Sequence, residues 1–330
     1  MLHGFSDGVF PRALHAAHLR GWWAMTMAFA MLVGGIKAYG ARSSGQKADV
    51  DWHALGSTPC VWSPAVADAQ GAIDPGATIK ILKAHGLGCF GALIWVPRKG
   101  GSPTFDWNSF RNFVAKAQPA GIIVWAILIP PSEGGNSPPF NKDYVRWIQE
   151  LARLSLKYPC LKGVNIDDFY WDTKFFTPKY TCGIYSAKQS INPQLQFAPT
   201  IYGLGTDFAK EYGSCIDGVW LWWRNLEGNV GLDVWLKNSR QIINNRFPIY
   251  GGVYAGETHW HKDGRPEPAV VRGALETTCQ YANGAVLWQM ALTPPNPLLE
   301  VARSFGVNGS SPQAGKCGTF VDKSGAAGMK

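Results

Sequence analysis

Residues Gly163 to Asp172 read GVNIDDFYWD, an apolar, strand-like run that stops on two adjacent aspartates and passes at once into aromatic residues. Two neighbouring carboxyls in a dry cleft do not both stay ionised easily, so one keeps its proton near neutral pH and a general acid stands beside a fixed anion. Period-two alternation turns Val164 and Ile166 outward and Asn165 and Asp167 inward, with Asp168 just past the strand end where the chain begins to turn. A structural reading competes: Asp167 paired with a buried cation of a neighbouring strand, or Asp168 capping the helix beyond the loop.

Such a pair needs a frame that presents strand ends to a common cleft. Eight short apolar runs recur at nearly even spacing: 58–62, 89–96, 121–129, 161–167, 195–201, 216–223, 247–254 and 284–290. Helical patterns lie between several of them. Phe110, Phe113, Val114 and Ala117 share one face of 107–117, and Tyr144, Trp147, Ile148, Leu151 and Leu154 share one face of 142–157. Strand, helix and strand at roughly thirty-residue intervals predict a parallel sheet with right-handed crossovers. Eight such units make an α/β fold of the (β/α)8 TIM-barrel type, a single domain over 48–307 whose site lies at the C-terminal ends of the strands. An open doubly wound sheet is the alternative, but it wants a Gly-rich phosphate turn after the first strand, where CVWSPAVADAQG stands.

Fifteen Trp in 330 residues exceed what packing usually asks for, and indole faces match the apolar faces of sugars. Around the acidic centre the candidate substrate-binding residues are Asn165, Tyr170, Trp171, Tyr202, Trp223, Tyr254, His259 and Trp288, with Trp288 as the floor of the pocket. For Trp125 and Trp222 a core role on outward-facing positions is the rival reading. Glu133, in IPPSEGG after the third run, sits in a loop that reads as a lid or a subsite wall.

The adjacent acids closing the fourth run resemble the arrangement in O-GlcNAcases and hexosaminidases. There the first acid orients the acetamido group of the substrate and the second protonates the leaving oxygen. FAPTIYG at the fifth run, IDGVWLWW at the sixth and GAVLW at the eighth are similar as well, the last to the chitinase strand that supplies the Trp floor. The resemblance covers 161–290 and implies a glycosidase-type barrel with Asp168 as acid and Asp167 as orienting residue. Phe169 stands where the chitinase pattern has Glu. Glu257, in GVYAGETHWH, occupies the place where many retaining glycosidases keep a nucleophile, so Asp168 with Glu257 is a second two-carboxylate pairing. An exposed loop glutamate is the bland reading of Glu257. His259 and His261 could share a face toward a metal, but a third ligand would have to come from another strand, so no metal and no cofactor are expected.

The N-terminus reads as a targeting segment over 1–41. Arg12 and Arg20 precede an apolar run, 22–36, which is followed by Lys37 and small residues. Fifteen apolar positions favour a cleaved signal, with an uncleaved anchor as the alternative. Seven cysteines with no CxxC pair point to disulfides in an oxidising compartment rather than to zinc or thiol chemistry. The net charge is +8, yet no Lys/Arg block or aromatic-basic motif indicates nucleic acid. The tail, 308–330, is rich in Gly and Ser. The chain is therefore expected to be a secreted or extracytoplasmic glycoside hydrolase acting on a polysaccharide or glycan, N-acetylhexosamine polymers included. Its partner is that carbohydrate alone, without nucleic acid, and without membrane beyond a possible N-terminal anchor. A lectin-like barrel and a metal-dependent deacetylase are the alternatives.

Overall fold

The computed structural model describes residues 51, 54–95, 104–134, 137–223, 229–256, 266–293 and 295–306, all within one compact unit, Gln46–Lys330. The strands are β1 (Cys60–Trp62), β2 (Cys89–Ile94), β3 (Ile123–Leu128), β4 (Leu161–Ile166), β5 (Gln196–Phe197), β6 (Thr200–Ile201), β7 (Val219–Trp222), β8 (Ile249–Tyr254) and β9 (Gly284–Trp288). They form one parallel sheet in the order β5-β4-β3-β2-β1-β9-β8-β7-β6. The helices are α1 (Pro75–Ala84), α2 (Trp107–Ala120), α3 (Tyr144–Lys157), α4 (Pro178–Gln189), α5 (Thr206–Tyr212), α6 (Leu232–Ile243), α7 (Pro268–Tyr281) and α8 (Pro297–Ser304).

All eight expected runs carry strands, but the fifth is split in two. Pro199 has no amide hydrogen to give a ladder, and the chain leaves strand geometry over Ala198–Pro199. The first half, β5, pairs with β4, and the second, β6, pairs with β7. The sheet order therefore begins and ends on one interrupted strand. With β5 and β6 counted once, each strand is followed by a helix, and the architecture is a (β/α)8 barrel.

Local chemistry sets the helix starts. Asp74, Asp106 and Asp143 accept the N–H groups of Ala77, Ser109 and Arg146 at 2.9, 2.7 and 2.9 Å, each satisfying an orphan first-turn donor. The cap at Asp143 starts α3 at Tyr144 rather than at Lys142. Two apolar layers result. Outside the strands, Val164 and Ile166 pack with helix residues such as Phe110, Phe113, Trp147 and Leu151. Inside the barrel, Trp62, Trp125, Ile127, Trp220, Trp222, Tyr250 and Val286 fill the centre.

Trp125 and Trp222 are thus core residues, as the rival reading has it, but they face the barrel axis and not the outward side that reading gave them. Room for the indoles comes from missing side chains: a Cβ on Gly163 would stand 2.5 Å from the Trp125 ring. The Trp125 Nε1–H donates to the Ala54 carbonyl at 3.1 Å.

Two disulfides and one buried ion pair tie the frame together. Cys60 and Cys89 bridge β1 to β2 at paired positions, and Cys182–Cys215 joins α4 to the segment before β7. Cys279 is also disulfide-bonded, and Cys160 is a buried thiol. Lys188 of α4, fully buried, lies 2.8 Å from Asp217. The same carboxylate accepts from the Phe197 N–H at 2.8 Å and the Tyr185 hydroxyl at 3.0 Å, so the buried charge has three donors around it. Among the described residues no helix is long and apolar enough to cross a membrane.

Candidate active site

Strand β4 ends at Ile166, and the Asp167 N–H donates to the Leu128 carbonyl of β3 at 2.8 Å, so the two strand ends finish level. Asp168 follows with φ 46° and ψ 21°, in the left-handed region. Asp tolerates that conformation better than most residues, and strained backbone of this kind gathers at functional sites. The turn makes an internal bond: the Asp168 N–H donates to Asp167 Oδ1 at 2.8 Å. Both aspartates are half-buried at the mouth of the barrel.

Tyr202, immediately after β6, donates its hydroxyl to Asp168 Oδ1. Glu133 comes close to the same carboxylate. It closes a single 3₁₀ turn, Pro131–Glu133, beyond β3, near enough to Asp168 for their charges to act on each other. Three carboxyls from two adjacent strand ends therefore face one another. Burial first, then the charges of Asp168 and Glu133, push the Asp167 carboxyl well above the usual range, with the Asp168 N–H pulling the other way. Burial, then Asp168, then Asp172, raise Glu133 to about 7. Glu133 as a whole residue remains exposed, so the repulsion from Asp168 is the cause that survives contact with water. Burial, with Asp167 and Asp168 nearby, drives the Tyr202 hydroxyl far upward and keeps it a proton donor. Glu133 and Asp167 thus both favour their protonated forms more than an ordinary carboxyl does.

Aromatic rings surround it. Trp171 is 56% exposed and stacks on Tyr202 at 5.7 Å and 28°, and Tyr170 meets Trp171 edge-on at 5.1 Å. Tyr254 and Trp288, both half-buried, meet at 5.6 Å, and Trp288 packs on the buried Trp62 at 6.3 Å. These rings come from the C-terminal ends of β1, β8 and β9, on the same mouth of the barrel as the acids.

Of the residues expected at the site, the structure brings Asp167, Asp168, Tyr170, Trp171 and Tyr202 together, and places Tyr254 and Trp288 on the same rim. Two go elsewhere. Asn165 does point inward but is fully buried, and its Nδ2 donates to the Ala198 carbonyl at 2.7 Å and to Thr200 Oγ1 at 3.1 Å. It bridges β4 to the broken fifth strand and is not available to a ligand. Trp223 turns away from the axis because Trp222 turns toward it, and packs on Trp235 of α6 at 5.0 Å. Glu257, His259 and His261 lie outside the described residues, as do the N-terminal segment and the tail. Among the described residues no three or more His, Cys, Asp or Glu are arranged to hold a metal ion.

Two contributors were not expected in these places. Glu133 was legible only as a loop residue, since nothing in IPPSEGG says that its turn folds back over β4. Trp62 ends the shortest run and gave no signal beyond its type.

No known family's sequence pattern matches the chain, and neither does any curated protein. Solved structures do share its fold. A family GH113 β-1,4-mannanase matches at a TM-score of 0.54 and 10% identity, over 74% of this chain and 97% of its own. The GH53 catalytic domain of Ignisphaera aggregans matches at 0.50 and 14%, over 71% and 85%. A GH27 β-L-arabinopyranosidase from Geobacillus stearothermophilus matches at 0.51 and 10%, over 78% of both chains. At such identities the likeness is one of fold, a TIM barrel used by several glycoside hydrolase families.

Proposed function

We propose that this chain is a glycoside hydrolase that cleaves a polysaccharide or glycan by carboxylate acid/base catalysis at the C-terminal mouth of its barrel. Barrels of this fold host many chemistries, so the site rather than the fold must carry the assignment. The carrying observation is the Glu133–Asp168–Asp167 cluster, with Tyr202 donating to Asp168 beneath exposed aromatic rings.

Glycosidic cleavage needs a proton delivered to a leaving oxygen and negative charge facing the developing oxocarbenium ion. Glu133, beside Asp168, holds a proton near neutral pH, and Tyr202 fixes the direction of the Asp168 carboxylate. Asp168 is the group that passes the proton on, with Glu133 replenishing it. Asp167, raised and tied to the Asp168 amide, orients the reacting sugar. Trp171 and Trp288 offer ring faces to pyranose C–H groups on either side. The disulfides favour an extracytoplasmic setting.

The test is reducing-end release from a panel of neutral and N-acetylhexosamine polysaccharides, with Asp168→Asn as control. Release by the wild type that the variant loses supports the proposal. Oligosaccharide binding without release in either protein would leave a lectin-like barrel. Release of acetate that depends on added divalent metal would leave a deacetylase.

A further inference from the structure

We propose that Ser132 and Asp172 are positioning residues that latch the turn carrying Glu133 onto the turn following Asp168, so that the two carboxyls are held face to face. The catalytic consequence of the latch rests on the glycosidase reading above, whereas the latch itself rests on geometry alone.

Ser132 immediately precedes Glu133, and Asp172 closes the 3₁₀ turn Phe169–Asp172 that opens directly after Asp168. Ser132 donates twice to one oxygen, Asp172 Oδ2: its N–H does so at 3.3 Å, and its hydroxyl more closely. A charged acceptor receiving two donors from one residue is a strong, directional tie.

The two turns differ in how they are anchored. The Asp172 carbonyl accepts the N–H groups of Phe175 and Phe176, each at 2.8 Å. Phe169 and Phe176, both fully buried, stack at 4.8 Å and 18°. That turn is part of the core. The turn of Glu133 buries no side chain, has no side-chain cap, and runs into Gly134 at φ 85°, where a glycine accommodates the left-handed backbone. Its entry is held upstream, where the Tyr144 hydroxyl donates to the Ile129 carbonyl at 2.6 Å. The latch therefore lends a core-anchored turn to an exposed one, and a residue placed adjacent to the tie inherits its position.

Asp172 also acts through its charge. The groups facing Glu133 are Asp167 and Asp168 from the end of β4 and Asp172 from the following turn, with the hydroxyls of Tyr202 and Tyr144 behind them. The charges of Asp168 and Asp172 favour the protonated form of Glu133. Neutralising Asp172 removes one of them, and cutting the latch lets Glu133 move away from Asp168. Both changes lower the pH at which Glu133 gives up its proton.

The experiment follows the Glu133 carboxyl by ¹³C NMR titration of the intact protein, its signal identified by its loss in Glu133→Gln, alongside the pH–rate profile. Ser132→Ala and Asp172→Asn should each lower the Glu133 titration by about 0.5 to 1 pH unit. The alkaline limb of activity should move the same way, with kcat falling ~10-fold and KM little changed. Ser132→Thr, which keeps a hydroxyl, should titrate closer to wild type than Ser132→Ala. Both variants should fold, since Ser132 is exposed and Asp172 only half-buried. A Glu133 titration unmoved in Ser132→Ala and in Asp172→Asn overturns the latch, even if melting temperature drops. A titration that shifts as expected in a protein that cleaves no glycoside sustains the latch and removes the glycosidase reading. Glycoside cleavage that needs Glu133 but whose profile ignores both substitutions removes the latch alone.

Discussion

Replacing Glu133 by glutamine keeps the size of the side chain and deletes one charge from the carboxyl cluster. In the wild type, burial and the neighbouring Asp168 raise Glu133 from its ordinary 4.5 to about 7. A carboxyl raised in the folded state holds its proton more tightly there than in the unfolded chain. Its stabilising contribution is fully present below about pH 4.5 and is lost as pH rises through 7. A rise from 4.5 to about 7 is worth at most ~3.4 kcal/mol. Because Glu133 is exposed, water screens that to about 1 kcal/mol. The wild type should therefore lose stability between those two pH values more steeply than Glu133→Gln. The two should agree at pH ~4, and the variant should be about 1 kcal/mol more stable at pH ~8, or roughly 2 °C in Tm. Urea unfolding followed by tryptophan fluorescence at several pH values measures this. If Glu133→Gln is less stable than wild type on the alkaline side, the carboxylate is paired with a cation rather than repelled by its neighbours, and the electrostatic argument for the cluster fails.

Three further outcomes follow from the frame. Gly163→Ala puts a methyl 2.5 Å from the Trp125 ring, and denaturation should show a loss of ~1–3 kcal/mol from overpacking. Asp217→Asn leaves the buried Lys188 uncompensated, which should cost ~3–5 kcal/mol, much of it recovered by adding Lys188→Met. Replacing Cys182 and Cys215 together by Ser opens a loop of sequence separation 33, and equilibrium unfolding should report a loss of about 3–4 kcal/mol.

The barrel was readable because its strands are buried on both faces and so appear as apolar runs, while Asp106 and Asp143 announce helix starts. What misled was parity within a run. A strand buried on both sides has no polar face to tell inside from outside, so the direction of Trp125 and Trp222 stayed open between two readings and Trp223 was expected at the site. The break at Pro199 was visible as a proline, but its consequence, two strand halves serving different neighbours, is a property of the closed sheet. The Asp167–Asp168 pair was legible because adjacent carboxyls after an apolar run are costly without a reason. Glu133 was legible only as a loop carboxylate, since its approach to Asp168 joins turns that follow two different strands. Asn165 looked functional for the same reason as Asp167, yet an amide can satisfy itself on a carbonyl and a hydroxyl inside the barrel, as it does on Ala198 and Thr200.

The most direct test of the carboxylate cluster as a proton-delivering centre is the dependence of rate on leaving group. Wild type, Asp168→Asn and Glu133→Gln would be assayed on natural oligosaccharides and on aryl glycosides of increasing phenol acidity. Loss of the acid should lower turnover of poor leaving groups ~10²–10⁴-fold and of activated aryl glycosides far less, which steepens the leaving-group dependence relative to wild type. Equal losses on both kinds of substrate, or wild-type rates in Asp168→Asn, would contradict the account.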